Sequence, residues 1–217
     1  MPKKNNRPKQ DVKPILHIFC EGEKTEPNYI NGYLDKFFPT NRRLKVIKIE
    51  STRKNTPKQL VDEAAGAQMQ SPEWDAFWVV YDRESELKYS ERLHAEAYNK
   101  AKKNGISVAL TNVCFEVWLL LHFQKTCAPY SDYDNLKKNS ALRNECQKRG
   151  ISDYDKGDQS VFRVLKEDEI KAARGRAEIM NRQTMQSSES SRAQPYQWNP
   201  YTDVYKLLDA IDEIAQI

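Results

Sequence analysis

ILHIFCEGEKTEPNYINGYLDKFF, residues 15–38, joins two different periodicities. Ile15, Leu16, Ile18 and Phe19 make an apolar run of strand length, and Tyr29, Ile30, Tyr33, Leu34 and Phe37 then recur at helical spacing. Between them lies CEGEKTEP, residues 20–27, in which three of eight residues are glutamates. The same order of strand, polar loop and helix repeats downstream. LKVIKI (44–49) alternates apolar and basic residues as a half-exposed strand does, and TPKQLVDEAAGAQMQ (56–70) opens on Thr-Pro, a helix-start signal. WDAFWVVY (74–81) reads as a central strand, 90–104 as a helix, ISVAL (106–110) as a buried strand, and FEVWLLLHF (115–123) as a helix apolar around most of its circumference.

Four strands, each followed by a helix, predict an α/β fold with a parallel four-stranded sheet flanked by helices, because parallel strands need long crossovers. Such sheets bind ligands beyond the carboxyl ends of their strands. The residues found there are Glu21 after the first strand, Asp82 and Glu84 after the third, and Asn112 and Glu116 after the fourth. Most are acids.

The rest of the chain differs in texture. Residues 126–192 are polar and dotted with tyrosines, with helical stretches expected at 133–149 and 160–185; a serine-rich loop, QSSESSRAQP (186–195), follows. In NPYTDVYKLLDAIDEI (199–214), Val204, Leu207, Leu208, Ile211 and Ile214 mark an amphipathic helix. The expected organisation is a flexible basic arm (1–13), an α/β core (14–125), and a helical insertion with a C-terminal helix packing back on the core (126–217). The arm, MPKKNNRPKQDVK, suits either a solubilising tail or an electrostatic contact to a phosphate backbone.

Composition sets outer bounds. A chain of 217 residues with 30% charged and 39% apolar residues is that of a folded domain, and a formal net charge of +4 permits a nucleic-acid partner without requiring one. No apolar run approaches the roughly 20 residues that span a bilayer, so no membrane association is expected. Cys20, Cys114, Cys127 and Cys146 form no CxxC pair, which argues against a zinc site and for a reducing, cytoplasmic location.

CEGEKTEP holds a glycine, a lysine and a threonine, yet it is not a phosphate-binding loop. GxxxxGK[ST] needs successive backbone amides around the phosphates; here Gly22 stands alone and Glu23 interrupts Gly-Lys-Thr. Carboxylates gathered at one sheet end call instead for a hard divalent cation, Mg²⁺ or Mn²⁺, which takes oxygen ligands and can activate water. Asp82 and Glu84 lie two residues apart, so in extended backbone both face one side, as co-ligands should. Local roles compete for the neighbours: Glu23 and Glu26 as negative charge at a helix N-terminus, Thr25 as its cap, and Gly22 as a sharp turn. Lys24 suits a phosphate contact or pairing with these carboxylates, Lys156 in DYDKGD is a phosphate-contact candidate, and His122 is expected to pack in the core or at its rim.

FCEGEKTEPNYI (19–30), WVVYDRE (78–84), TNVCFEVWLLLHF (111–123) and NPYTDVYKLL (199–208) are, in that order, similar to the landmarks of RloB-like proteins, which carry a Toprim-type catalytic core. The resemblance implies a small parallel sheet flanked by helices, with Glu21 as acid or base and the acidic pair Asp82 and Glu84 on Mg²⁺. Glutamate here replaces the second aspartate of the usual D-x-D. It further implies that Glu116 joins the site. The function implied is Mg²⁺- or Mn²⁺-dependent phosphodiester cleavage of DNA or RNA, in defence against phage or foreign nucleic acid and with a possible defence-system partner protein. The altered D-x-E keeps open an alternative, a non-catalytic Toprim-like subunit that binds nucleic acid or a partner.

Overall fold

The apolar runs become strands where the sequence places them, with shifts that have local causes. The computed structural model describes residues 13–53, 56–158 and 160–215, so the basic arm lies outside the described residues except for Lys13. The first half runs β1 (Leu16–Cys20), α1 (Thr25–Phe37), α2 (Asn41–Leu44), β2 (Ile47–Glu50), α3 (Pro57–Gln68), β3 (Ala76–Asp82), α4 (Glu91–Lys103), β4 (Ser107–Asn112) and α5 (Glu116–Phe123). Thr56 and Ser90 cap α3 and α4, their hydroxyls accepting from Gln59 N–H and Leu93 N–H. β2 starts three residues later than its alternation suggests. Leu44 instead ends α2, and Lys45 turns the chain with φ 53°.

Among the described residues the sheet has five strands rather than four, in the order β2-β1-β3-β4-β5. β1 to β4 are mutually parallel; β5 (Tyr201–Thr202) is antiparallel to β4, pairing Thr111 with Thr202 and Asn112 with Tyr201. Two residues are too few to show a period in sequence. The pairing is secured from outside, by a 2.9 Å hydrogen bond between the Thr111 and Thr202 hydroxyls and by Asn181.

Both sheet edges are closed by the same device. Asn41 donates from Nδ2 to Ile47 O and accepts Ile47 N–H at Oδ1, both at 3.0 Å, on the β2 edge. Asn181 does the same to Thr202, at 2.8 and 3.1 Å, on the β5 edge. Each amide satisfies the N–H and C=O of one buried edge residue that no further strand pairs.

Helices cover both faces. Side-chain alternation sends Leu16, Ile18, Cys20 and Val80 into a core with α1, α5 and the C-terminal helices. Phe19, Phe77, Val79 and Tyr81 go to the other face, against Leu60, Val61 and Ala64 of α3 and Ala97 and Ala101 of α4. α5 is buried from Glu116 to His122, as its unbroken apolar sequence demands. His122 is a core residue: its Nε2 meets the Tyr29 hydroxyl at 2.9 Å and its Nδ1 lies 3.0 Å from Trp118 O.

The C-terminal stretches are more divided than expected. Residues 133–149 form α6 (Tyr133–Asn139) and α7 (Leu142–Lys148), broken at Ser140, whose hydroxyl accepts Leu142 N–H. Residues 160–185 form α8 (Ser160–Val164) and α9 (Glu167–Ser187), where Glu169 reaches back to Lys166 N–H as a new start. After a 3₁₀ turn (Pro195–Gln197) and β5, α10 (Val204–Ala215) buries Val204, Leu207, Leu208 and Ile211. Among the described residues, no helix is long and apolar enough to cross a membrane.

Candidate acidic site at the sheet switch point

In the sheet order β2-β1-β3-β4, the chain leaves β1 toward one edge, for β2, and leaves β3 toward the other, for β4. The crevice beyond the carboxyl ends of β1 and β3 is therefore the topological switch point, where open α/β sheets bind ligands. A pocket of ≈ 610 Å³ lies there, lined by Glu21 to Glu26, Asp82, Glu84, Lys88, Tyr89, Phe115, Glu116 and Lys156. Glu21, Lys24, Asp82, Glu84, Glu116 and Lys156 all reach this one pocket, whereas Asn112, also expected beyond the strand ends, does not: its Nδ2 donates to Trp198 O at 2.8 Å.

β1 and β3 run side by side, so Glu21 follows one strand while Asp82 ends its neighbour. Glu21 N–H bonds Val80 O at 2.9 Å, and Asp82 N–H donates to Glu21 Oε2 at 3.3 Å. Beyond Asp82 the backbone is not extended. Glu84 takes φ 56°, unusual for a residue with a Cβ, and is held by a 2.8 Å bond from its N–H to Val113 O. Arg83 turns away, donating from Nε to Tyr196 O at 2.9 Å and from Nη1 to Tyr89 O at 3.0 Å. Asp82 and Glu84 thus share the pocket through a pinned left-handed turn, not through the simple strand alternation anticipated.

Glu26 is the residue the sequence undervalued. It lies in the first turn of α1, but only 5% of it is exposed and it lines the pocket. A Cβ on Gly22 would fall 2.3 Å from Glu26 Oε2. Gly22 leaves the space that the Glu26 carboxylate occupies, and its φ is not positive. Thr25 does not cap α1: Lys24 holds the N-cap position and no side chain caps the helix there. Lys88 and Tyr89 were also missed. Lys88 Nζ pairs with Glu84 Oε1 at 2.7 Å, and Tyr89 hydrogen-bonds Glu21.

Crowding shows in the proton affinities. Burial, reinforced by the charges of Glu26 and Glu84, pushes Glu21 up to about 7 despite the Asp82 N–H and Lys88. Burial and the Glu116 charge likewise push Glu26 up to about 7. Asp82 is raised well above the carboxylate range by burial and by Glu26 and Glu116. Burial opposes the Lys156 charge, but Glu116 and Asp82 outweigh it and hold the ammonium protonated; the ammonium rests 4.6 Å from the Tyr133 ring.

Glu116 is 1% exposed; Tyr154 donates to its Oε1 at 2.9 Å, while its Oε2 is buried without a partner. An all-carboxylate donor set with an unpartnered buried oxygen fits a hard divalent cation far better than a soft one. The groups surround the pocket without converging: among the described residues, no three Asp, Glu, His or Cys side chains are grouped closely enough to hold one metal ion.

The fold and site together define an α/β protein with a five-stranded, mostly parallel sheet and an acidic pocket at its switch point. The family described as RloB-like protein matches residues 16–211, and the chain belongs to it. No curated protein and no solved structure gives a significant match.

Proposed function

We propose that this RloB-like chain is a Mg²⁺- or Mn²⁺-dependent phosphodiesterase with a Toprim-type core, a nuclease acting on DNA or RNA in defence against phage or other foreign nucleic acid. The observation that carries the reading is the pocket of buried, mutually repelling carboxylates at the switch point, whose Glu116 Oε2 accepts no hydrogen bond. Repulsion of this kind persists in a fold when a cationic ligand relieves it. Asp82, Glu84 and Glu21 would hold the ion, and Glu116 would assist. A bound divalent ion supplies charge neutralisation and activation of water.

The chain's own groups account for the rest. Glu21, fixed by the Asp82 N–H, is the acid or base, and its raised proton affinity suits exchange near neutral pH. Lys24 and Lys156 lie on the pocket wall, where they would contact the phosphodiester backbone.

One observation favours a second reading. Because no three carboxylates converge among the described residues, a Toprim-like subunit that binds nucleic acid or a defence partner without cutting it is the rival. Purified protein incubated with Mg²⁺ or Mn²⁺ and single- or double-stranded DNA or RNA decides between them. Cleavage lost by about 10²- to 10⁴-fold in Glu21→Gln supports the nuclease; no cleavage of any substrate and no bound metal sinks it.

A further inference from the structure

The loop between α7 and α8 belongs to the region that reads in sequence as an appendage, yet its Lys156 lines the acidic pocket and its Tyr154 touches Glu116. Tyr154, 1% exposed, is packed in the same core as Cys146 and Leu119 and donates its hydroxyl to Glu116 Oε1 at 2.9 Å. The loop is locked in place three residues further on. Gly157 has φ 82°, a Cβ on it would fall 2.5 Å from Lys24 Cβ, and its carbonyl accepts from Asn28 Nδ2 at 2.9 Å.

A buried carboxylate with neither oxygen bonded would be free to rotate about its last bond. Here one oxygen is fixed and the other is left unsatisfied. Resting on the divalent-ion reading above, we propose that Tyr154 is the positioning residue of Glu116: by occupying Oε1 it presents Oε2 to the cation, which makes the 151–158 loop an integral wall of the metal site. Groups that orient a metal-ligating carboxylate through its second oxygen typically change metal affinity by about 10- to 100-fold when removed.

The test is a double-mutant cycle on the full chain, titrating Mn²⁺ and following free Mn²⁺ by EPR at one fixed pH, with circular dichroism reporting the fold. Tyr154→Phe removes the hydroxyl and keeps the ring, and is expected to weaken Mn²⁺ binding about 10- to 100-fold. Glu116→Gln is expected to weaken it as well, and adding Tyr154→Phe to Glu116→Gln is expected to cost nothing further. Losses that add in the double variant, or a folded Tyr154→Phe that binds Mn²⁺ like the natural chain, overturn the proposal. If Tyr154→Phe does not fold, the same cycle is run with Tyr154→His, and additive losses overturn the assignment there too. Failure of the natural chain to bind Mn²⁺ at all sinks the divalent-ion reading and this inference with it; binding that is indifferent to Tyr154 sinks only the inference.

Discussion

Asp75 and Glu50 share the imidazole of His17, whereas Asp82, Glu26 and Glu116 face one another across a pocket. In the first group His17 Nδ1 lies 2.6 Å from Glu50 Oε1 and Nε2 lies 3.2 Å from Asp75 Oδ2. Asp75 Oδ1 also accepts Ile15 N–H at 3.0 Å, and the imidazole stacks on Phe77 with centroids 4.7 Å apart. Every charge there has a fixed partner. In the second group the Lys156 charge acts on all three carboxylates, but no close ion pair among the described residues joins it to any of them, and Glu116 Oε2 is left without a hydrogen bond. Buried acids that hold a fold together are normally paired, and the bare Glu116 oxygen departs from that rule.

The sharpest way to break this contrast is Asp82→Asn. It relieves repulsion in the pocket without changing side-chain size, and is expected to lower metal-dependent cleavage by at least about 10²-fold while circular dichroism stays unchanged. Unchanged cleavage would mean that the pocket is not where the chemistry occurs. The paired group should respond in the opposite way. His17→Leu strands Asp75 and Glu50 and is expected to cost roughly 3 kcal/mol in denaturant unfolding, with Mn²⁺ affinity intact in the folded protein.

A smaller effect separates the two groups by pH. Glu26 binds its proton more tightly in the fold than in the unfolded chain, so its contribution to stability is greatest at low pH and is lost as pH rises from about 4.5 through about 7. Glu26→Gln should therefore melt higher than the natural chain at pH 8, by on the order of 2 kcal/mol, and the two should converge toward pH 4.5. A difference constant with pH would show that Glu26 acts through packing alone. The smallest change expected is Lys88→Met. Its ion pair with Glu84 is half exposed on the lysine side, so chemical unfolding should register less than about 1 kcal/mol.

The strand and helix alternation was legible because each element carries its own period: ILHIF, WVVY and SVAL are apolar where the sheet is covered on both faces. β5 was not, since a two-residue strand exists only by virtue of Thr111 and Asn181, which lie 91 and 21 residues away from Thr202. The carboxylates following the strands were readable for a similar reason, as Glu21 and Asp82 sit at fixed offsets from apolar runs. Glu26 and Tyr154 sit at no such offset. Glu26 looks like an ordinary first-turn acid until Gly22 makes room for its carboxylate, and Tyr154 lies 38 residues from the glutamate it touches.

By itself the sequence determined the α/β class, the parallel core of the sheet and the supply of acids at its carboxyl ends, because these follow from local periodicity and from the rule that parallel strands end on one side. Only the tertiary structure decided that β1 and β3 are neighbours, which brings Glu21 and Asp82 together at the switch point. It alone decided that α1 turns Glu26 inward and that the 151–158 loop folds over Glu116. Those are choices of which distant surfaces bury one another, and no local pattern encodes them.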